Sequence, residues 1–249
     1  MLTAVVLAHD ETESLTKCLK SVDFADDILI ITDNPNHDIK PILSNNKVRS
    51  LYHPLNKDFS AHRNYALSQV KTEWALFVDA DEVVTSKLAK NINQTLQNKN
   101  ASNGYLIHRI DCLWQKQLKH GDLSDVYLLR LARKSSGRWS GRVHETWQVN
   151  GQIKKISGNL IHTPHPSLNE FLESINFYSS IRAGELYEEK SSANVFSIIF
   201  YPFGKFVYLW LIKKGVLDGV PGLVHAMAMS FYSFMVKGKL YLLSKQIND

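Results

Sequence analysis

An apolar run, Trp-Ala-Leu-Phe-Val at 74–78, ends in Asp79-Ala80-Asp81-Glu82. Alternate residues of an extended segment point the same way, so Asp79 and Asp81 present two carboxylates together. Such a pair suits a hard divalent cation, Mg2+ or Mn2+, that keeps positions open for phosphate oxygens. A cation held there neutralises a departing diphosphate. Other polar clusters also follow apolar runs: His9-Asp10-Glu11 after 2–8, and Asp33 after 28–31. The rival reading of Asp81 and Glu82 is that they cap the helix that follows. His9, His62 and His144 are further candidate metal ligands, against the commoner role of a lone histidine as a structural hydrogen-bonding group.

These groups need a scaffold that gathers strand ends. The short apolar, β-branched runs 2–8, 28–31, 48–52 and 74–78 read as strands. Helices are expected after residue 10, where acids precede Leu15, Cys18, Leu19 and Val22, and over about 60–70 and 86–96. Alternating strands and helices imply an α/β domain with a mostly parallel sheet and right-handed crossovers. Ligands of such sheets bind at the carboxyl ends of the strands, where the polar clusters fall. After residue 103 the alternation weakens, with strands expected near 104–110, 126–131 and 152–156 and helix from about 169.

Composition bounds the remaining choices. Cys18 and Cys112 are too few for a disulfide framework and fit a reducing compartment. The first ten residues lack a basic segment before their apolar run, so a signal peptide is not expected and the cytoplasm is. Net charge is +5, yet residues 196–249 carry six lysines against Asp218 and Asp249. The same tail holds 11 of the 26 aromatic residues. Lysines and aromatics beside aliphatic runs point to a membrane surface and away from nucleic acid. The apolar stretches 195–212, broken by Pro202 and Gly204, and 223–236 both fall short of about 20 uninterrupted apolar residues. A peripheral association is therefore expected, and two ordinary core helices are the alternative.

Five stretches in order resemble glycosyltransferase family 2, and within it the bacterial lipopolysaccharide inner-core β-1,4-glucosyltransferases. They are Val-Val-Leu-Ala-His-Asp-Glu-Thr-Glu at 5–13, Asp-Phe-Ser-Ala-His-Arg-Asn-Tyr-Ala-Leu at 58–67, and Trp-Ala-Leu-Phe-Val-Asp-Ala-Asp-Glu at 74–82. Arg-Val-His-Glu at 142–145 and Leu-Asp-Gly-Val-Pro-Gly-Leu at 217–223 complete the set. The resemblance implies a GT-A, Rossmann-like catalytic domain over about 1–165, with a donor half near 1–100 and an acceptor half near 101–165. A helical, membrane-associated region over 166–249 would follow. It implies inverting transfer of a sugar, glucose foremost, from a UDP-sugar to a lipid-linked saccharide such as the inner-core heptose. The enzyme would be peripheral on the inner face of the cytoplasmic membrane.

The resemblance also implies roles. Asp10, Glu11 and Asp33 would meet the uridine, and Arg63 would help hold the donor. Asp79 and Asp81 would serve the donor's ribose and the metal, with His144 a second metal ligand. Glu145 would be the catalytic base. One departure stands out: where the family has a glycine-containing Asp-Ser-Gly-Ser-x-Asp, this chain has Asp33-Asn34-Pro35-Asn36-His37-Asp38. Read by residue type alone, Arg63 serves equally as an exposed helix residue in a surface ion pair, and Glu145 as an ion-pair partner of Arg142. Two other functions fit a nucleotide at strand ends: a nucleotidyltransferase, and an inactive nucleotide-sugar-binding module. A nucleotidyltransferase usually carries a basic, glycine-rich loop after its first strand, whereas Ala8-His9-Asp10-Glu11 would repel a triphosphate.

Overall fold

The computed structural model describes residues 1–9, 13–36, 47–56, 58–114, 116–141, 145–164 and 167–245. The chain divides into two compact units, Met1–Ile110 with Asp125–Thr163, and Asp111–Ser124 with Pro164–Asp249. The helical unit thus takes an internal segment in addition to the C-terminal region expected from the sequence.

The larger unit begins with β1 (Leu2–Ala8), α1 (Glu13–Ser21), β2 (Asp27–Thr32), β3 (Val48–Tyr52), α2 (Phe59–Gln69), β4 (Trp74–Asp79), β5 (Glu82–Val84) and α3 (Ser86–Leu96). β6 (Gly104–Leu113) begins in the larger unit and ends in the helical one, which also holds the short β7 (Lys116–Gln117); β8 (Val126–Arg133), β9 (Gly137–Ser140), β10 (Thr146–Val149) and β11 (Ile153–His162) complete the larger unit. Strand order is β3-β2-β1-β4-β8-β6-β11-β5, with β7 on β6, and β9 and β10 form a separate antiparallel pair. The β1–β2, β2–β3 and β1–β4 pairs are parallel, whereas β4–β8, β8–β6 and β11–β5 are antiparallel. The fold is mixed α/β of the GT-A type.

Period-two alternation explains the core. Leu2, Ala4, Val6 and Ala8 of β1 join Trp74, Leu76 and Val78 of β4 on one face, packed with Leu15 of α1 and Leu88 and Ile92 of α3. Val5, Ala75 and Phe77 occupy the opposite face with Ala66 and Leu67 of α2 and with Trp139 and Trp147. Continuing that alternation puts Asp79 on the Phe77 side, toward α2. Burial on both faces is why these strands read as unbroken apolar runs. Gly158, at φ +110°, lies where β11 crosses α3; a Cβ there would stand 2.5 Å from Leu88 Cα.

In the helical unit, α4 (Leu168–Glu188) and α5 (Val195–Val207) pack against α6 (Gly219–Ser244). Ser167 caps α4, and an Asn194–Ser197 capping box starts α5. A π-helical turn, Tyr208–Ile212, and a 3-10 turn, Gly215–Asp218, connect α5 to α6. Phe171, Ile175 and Ala228 form a small core.

Two expectations change here. Helix continues through Pro202 and Gly204, and α6 starts at Gly219, before the expected 223. Val195–Ile212 and Gly215–Ser244 are consequently long and apolar enough, by length and composition, to cross a membrane. The breaks were read as terminators, but packing keeps them helical: Ser230 Oγ donates to the Pro202 carbonyl at 2.7 Å. The core-helix alternative does not describe α5, which buries no residue. Its Phe196 and Phe203 are 73% and 66% exposed.

Candidate active site

The strand order reverses at β1, with β2 on one side and β4 on the other. That makes the carboxyl edge of β1 and β4 the switch point, the usual ligand crevice of such sheets. Leu7 of β1 lies in register with Asp79 of β4. His9, just past β1, pairs through Nδ1 with Asp33, just past β2. Asp10, Glu11 and His144, with Arg142, fall outside the described residues.

Arg63 is 5% exposed, so the surface reading of this residue is wrong. Asp58 caps α2 by accepting from Ala61 N, and the helix turns His62, Arg63, Ala66 and Leu67 inward. The Arg63 guanidinium lies 4.8 Å over the Trp139 ring, which stacks on Trp147. Asn64 fixes that wall through paired bonds with the backbone of Trp139, donating at 2.8 Å and accepting at 2.9 Å. From this seat Arg63 Nη2 donates to Asp79 Oδ1 at 2.8 Å and Nε donates to Glu145 Oε1 at 2.6 Å. The partner of Glu145 in the described structure is therefore Arg63, 82 positions away.

Arg130 grips the other side of Asp79. Its Nη2 donates to Asp79 Oδ2 at 2.6 Å and lies 3.2 Å from Glu82 Oε1. Glu82, fully buried, accepts from Asp79 N at 3.0 Å. It does not cap α3, whose cap is Thr85. Burial alone would raise the Asp79 carboxyl, but the Arg130 and Arg63 guanidiniums outweigh it and hold Asp79 far below the usual carboxylate range. Burial, opposed by Arg130 and reinforced by the Asp79 charge, pushes Glu82 up. Asp79 is thus a strut whose oxygens both serve arginines.

Asp81 is placed differently. Its Oδ2 lies 3.2 Å from His162 Nε2. Its Oδ1 is buried and accepts no hydrogen bond from the described residues. One unengaged carboxylate oxygen fits a Mg2+-type ion, which takes few protein ligands and fills its shell with water and phosphate oxygens. No cluster of three or more histidine, cysteine or acidic ligands exists among the described residues.

Sequence reasoning missed Arg130 and His162 as parts of this edge. A cation inside the apolar strand Val-Tyr-Leu-Leu-Arg-Leu-Ala was the available signal for Arg130. His162 reaches Asp81 because β11 runs antiparallel to β5 with His162 opposite Glu82, a register no local motif encodes.

His62 belongs to the scaffold. It is buried, its Nδ1 is 3.3 Å from His53 Nδ1, and burial pulls its pKa down to about 4. The unfolded chain takes up this proton first as pH falls. The contribution is therefore complete above about pH 6.5 and lost progressively toward pH 4. Chemical unfolding should show roughly 2 kcal/mol less stability at pH 5 than at pH 7 from this group. His62→Asn should flatten that part of the profile; an unaltered profile would remove His62 as its source.

Acids gathered at the switch point of a mixed α/β sheet suit a nucleotide-type ligand, and the sequence family narrows the class to the glycosyltransferases. The glycosyl transferase family 2 pattern matches residues 3–155, and the chain belongs to that family. It is 23% identical over 248 residues to the lipopolysaccharide core biosynthesis glycosyltransferase LpsC of Rhizobium meliloti, covering 96% of this chain and 92% of that one. The uncharacterized glycosyltransferase RT0209 of Rickettsia typhi is 20% identical, over 98% of this chain and 87% of its own length. Among solved structures, S. aureus TarS in complex with UDP-GlcNAc aligns with a TM-score of 0.48 at 13% identity, over 94% of this chain and 81% of that one.

Proposed function

We propose that this family 2 transferase moves a hexose, with inversion, from a UDP-sugar to a lipid-linked saccharide such as the inner-core heptose of lipopolysaccharide. The observation that carries the reading is the juxtaposition of Asp79, Asp81, Arg63 and Glu145 at the switch point of the sheet. The similarity to the Rhizobium lipopolysaccharide core biosynthesis glycosyltransferase supports the acceptor class. Asp33 with His9 would face the nucleoside, together with Asp10 and Glu11. Asp81, with His144, would hold a divalent cation. When bound, that cation supplies charge neutralisation for the diphosphate leaving group.

The reaction needs a base to take the proton of the acceptor hydroxyl as its oxygen attacks the anomeric carbon and the carbon–phosphate-oxygen bond breaks. Glu145 fits this role. Arg63 holds Oε1 and so orients the carboxylate, whose Oε2 would receive the proton. Because the same guanidinium binds Asp79, the base is positioned relative to the donor edge by one rigid side chain. Glu145→Gln preserves size and hydrogen bonding and removes basicity. UDP-sugar binding should stay near that of the unaltered protein while transfer falls about 10²-fold. Equal loss of binding and transfer would make Glu145 a donor-site residue, and unchanged transfer would eliminate it.

The acceptor's lipid calls for a membrane surface, on the cytoplasmic side where nucleotide sugars are made available. The exposed apolar residues of α5, flanked by Lys213 and Lys214, suit that role. Replacing Phe196, Phe200 and Phe203 together by serine removes about 1.5–3 kcal/mol of burial each. Co-sedimentation with anionic vesicles should then fall by more than 10²-fold, and salt should weaken binding of the unaltered chain. A chain that stays in solution beside such vesicles at low salt contradicts the membrane reading.

A further inference from the structure

We propose that Asp122, His225 and Lys205 form a saccharide-recognition site within the helical unit, binding hydroxyl groups of the lipid-linked acceptor. The inference rests on the acceptor class proposed above and names residues that the donor edge does not use.

The three side chains come from three places: the segment before β8, α5 and α6. Lys205 Nζ donates to Asp122 Oδ2 at 3.1 Å. Asp122 Oδ1 is buried and accepts no hydrogen bond from the described residues. His225 is a nearly buried side chain, 7% exposed, whose Nε2 points toward that oxygen from 3.8 Å. This separation is beyond a hydrogen bond. A buried carboxylate oxygen left without a donor is costly, and such groups call for an explanation. A hydroxyl about 2.8 Å from both atoms resolves it, donating to Oδ1 and accepting from a protonated Nε2.

The surroundings select the ligand's chemistry. Asp111, Asp122 and Asp218 all act electrostatically on His225, against Lys205. That balance disfavours a phosphate and favours neutral hydroxyl donors. The Phe171 ring lies nearly parallel to His225, at 7° and 6.1 Å, with Trp114 edge-on to Phe171. Acidic acceptors match a sugar's hydroxyls, and the stacked Phe171 ring fixes the orientation of the His225 imidazole beside them.

The site is also pre-organised. The Asp218 carboxylate accepts from Lys119 N, His120 N and the His120 ring. Its backbone oxygen accepts from Lys116 Nζ at 2.7 Å, and Gly121 N donates to Lys213 O at 3.0 Å. The segment that leads into Asp122 is thereby fastened beside the start of α6. Lys205 belongs to the same helix that exposes Phe196, Phe200 and Phe203. One helix therefore offers an apolar surface for acyl chains and a polar partner for the attached sugar, as an amphipathic ligand requires.

The test uses the full chain and two micelles: lipopolysaccharide truncated after its inner-core heptose, and lipid A without core sugars. The unaltered protein should bind the first at least tenfold more tightly. Asp122→Asn and His225→Gln should each abolish that preference while retaining affinity for lipid A and for UDP. Two variants guard against a folding defect in either one. A preference that survives in both variants, a loss of UDP affinity alongside it, or no preference in the unaltered protein would overturn the site. A preserved preference without sugar transfer from any nucleotide sugar would instead sink the transferase reading and leave the site standing.

Discussion

Asp81→Ala is expected to lower sugar transfer about 10³-fold while leaving the fold intact. The expectation follows from how little the folded chain asks of this carboxylate. Among the described residues, its Oδ1 engages no hydrogen-bonding group and Oδ2 meets the ring of His162. Its backbone oxygen, which accepts from Thr163 N, survives the substitution. Stability should thus change by no more than about 1 kcal/mol, the worth of a partly exposed ion pair. On the proposed cation-holding role of Asp81, transfer should collapse because charge neutralisation of the leaving diphosphate is lost. Asp81→Asn, which keeps shape but loses charge, should be nearly as inactive. Near-normal turnover in either variant, with added Mg2+ or Mn2+ still required, would contradict the assignment.

Arg130→Met should have the largest effect on stability. Arg130 is 5% exposed and compensates two acids, Asp79 and Glu82. Removing one partner of a buried ionic cluster strands the others, at a cost of about 3–5 kcal/mol. Arg63 still holds one oxygen of Asp79, so the stranded group is chiefly Glu82, which should take up a proton. Arg130→Met combined with Glu82→Gln should therefore recover part of the loss, with a coupling of roughly 0.5–3 kcal/mol in a double-mutant cycle. Urea unfolding of the four proteins measures it. A single-variant loss under about 1 kcal/mol would mean that the cluster carries little of the fold.

The elements near the donor edge were legible because their information is local. Unbroken apolar runs fix β1, β2 and β4, and residues 60–70 and 86–96 carry helix patterns that α2 and α3 reproduce within a residue. The acids stood out because they follow those runs. What connects them was not legible. Arg130 and Asp79 are 51 positions apart, and their pairing depends on β4 and β8 lying antiparallel, which no motif states. Glu82 looked like a helix cap because acids often precede helices, yet Thr85 holds that position and Glu82 is turned inward. The β9–β10 pair, which carries Trp139 and Trp147 under Arg63, was hidden by its four-residue strands. In the tail, Pro202 and Gly204 looked like stops. Helix propensity lost to packing against α6, and the exposed aromatic face emerged only with the helices in place.

Turnover by the full chain decides whether a nucleotide sugar is the donor. UDP-, GDP- and ADP-hexoses would each be offered with Mg2+ or Mn2+ and heptose-terminated lipopolysaccharide, with released nucleotide and lipid-bound sugar both followed. UDP should be released from a UDP-hexose, matched one for one by sugar on the lipid. A folded chain that releases no nucleotide from any of these donors would contradict transfer from a nucleotide sugar.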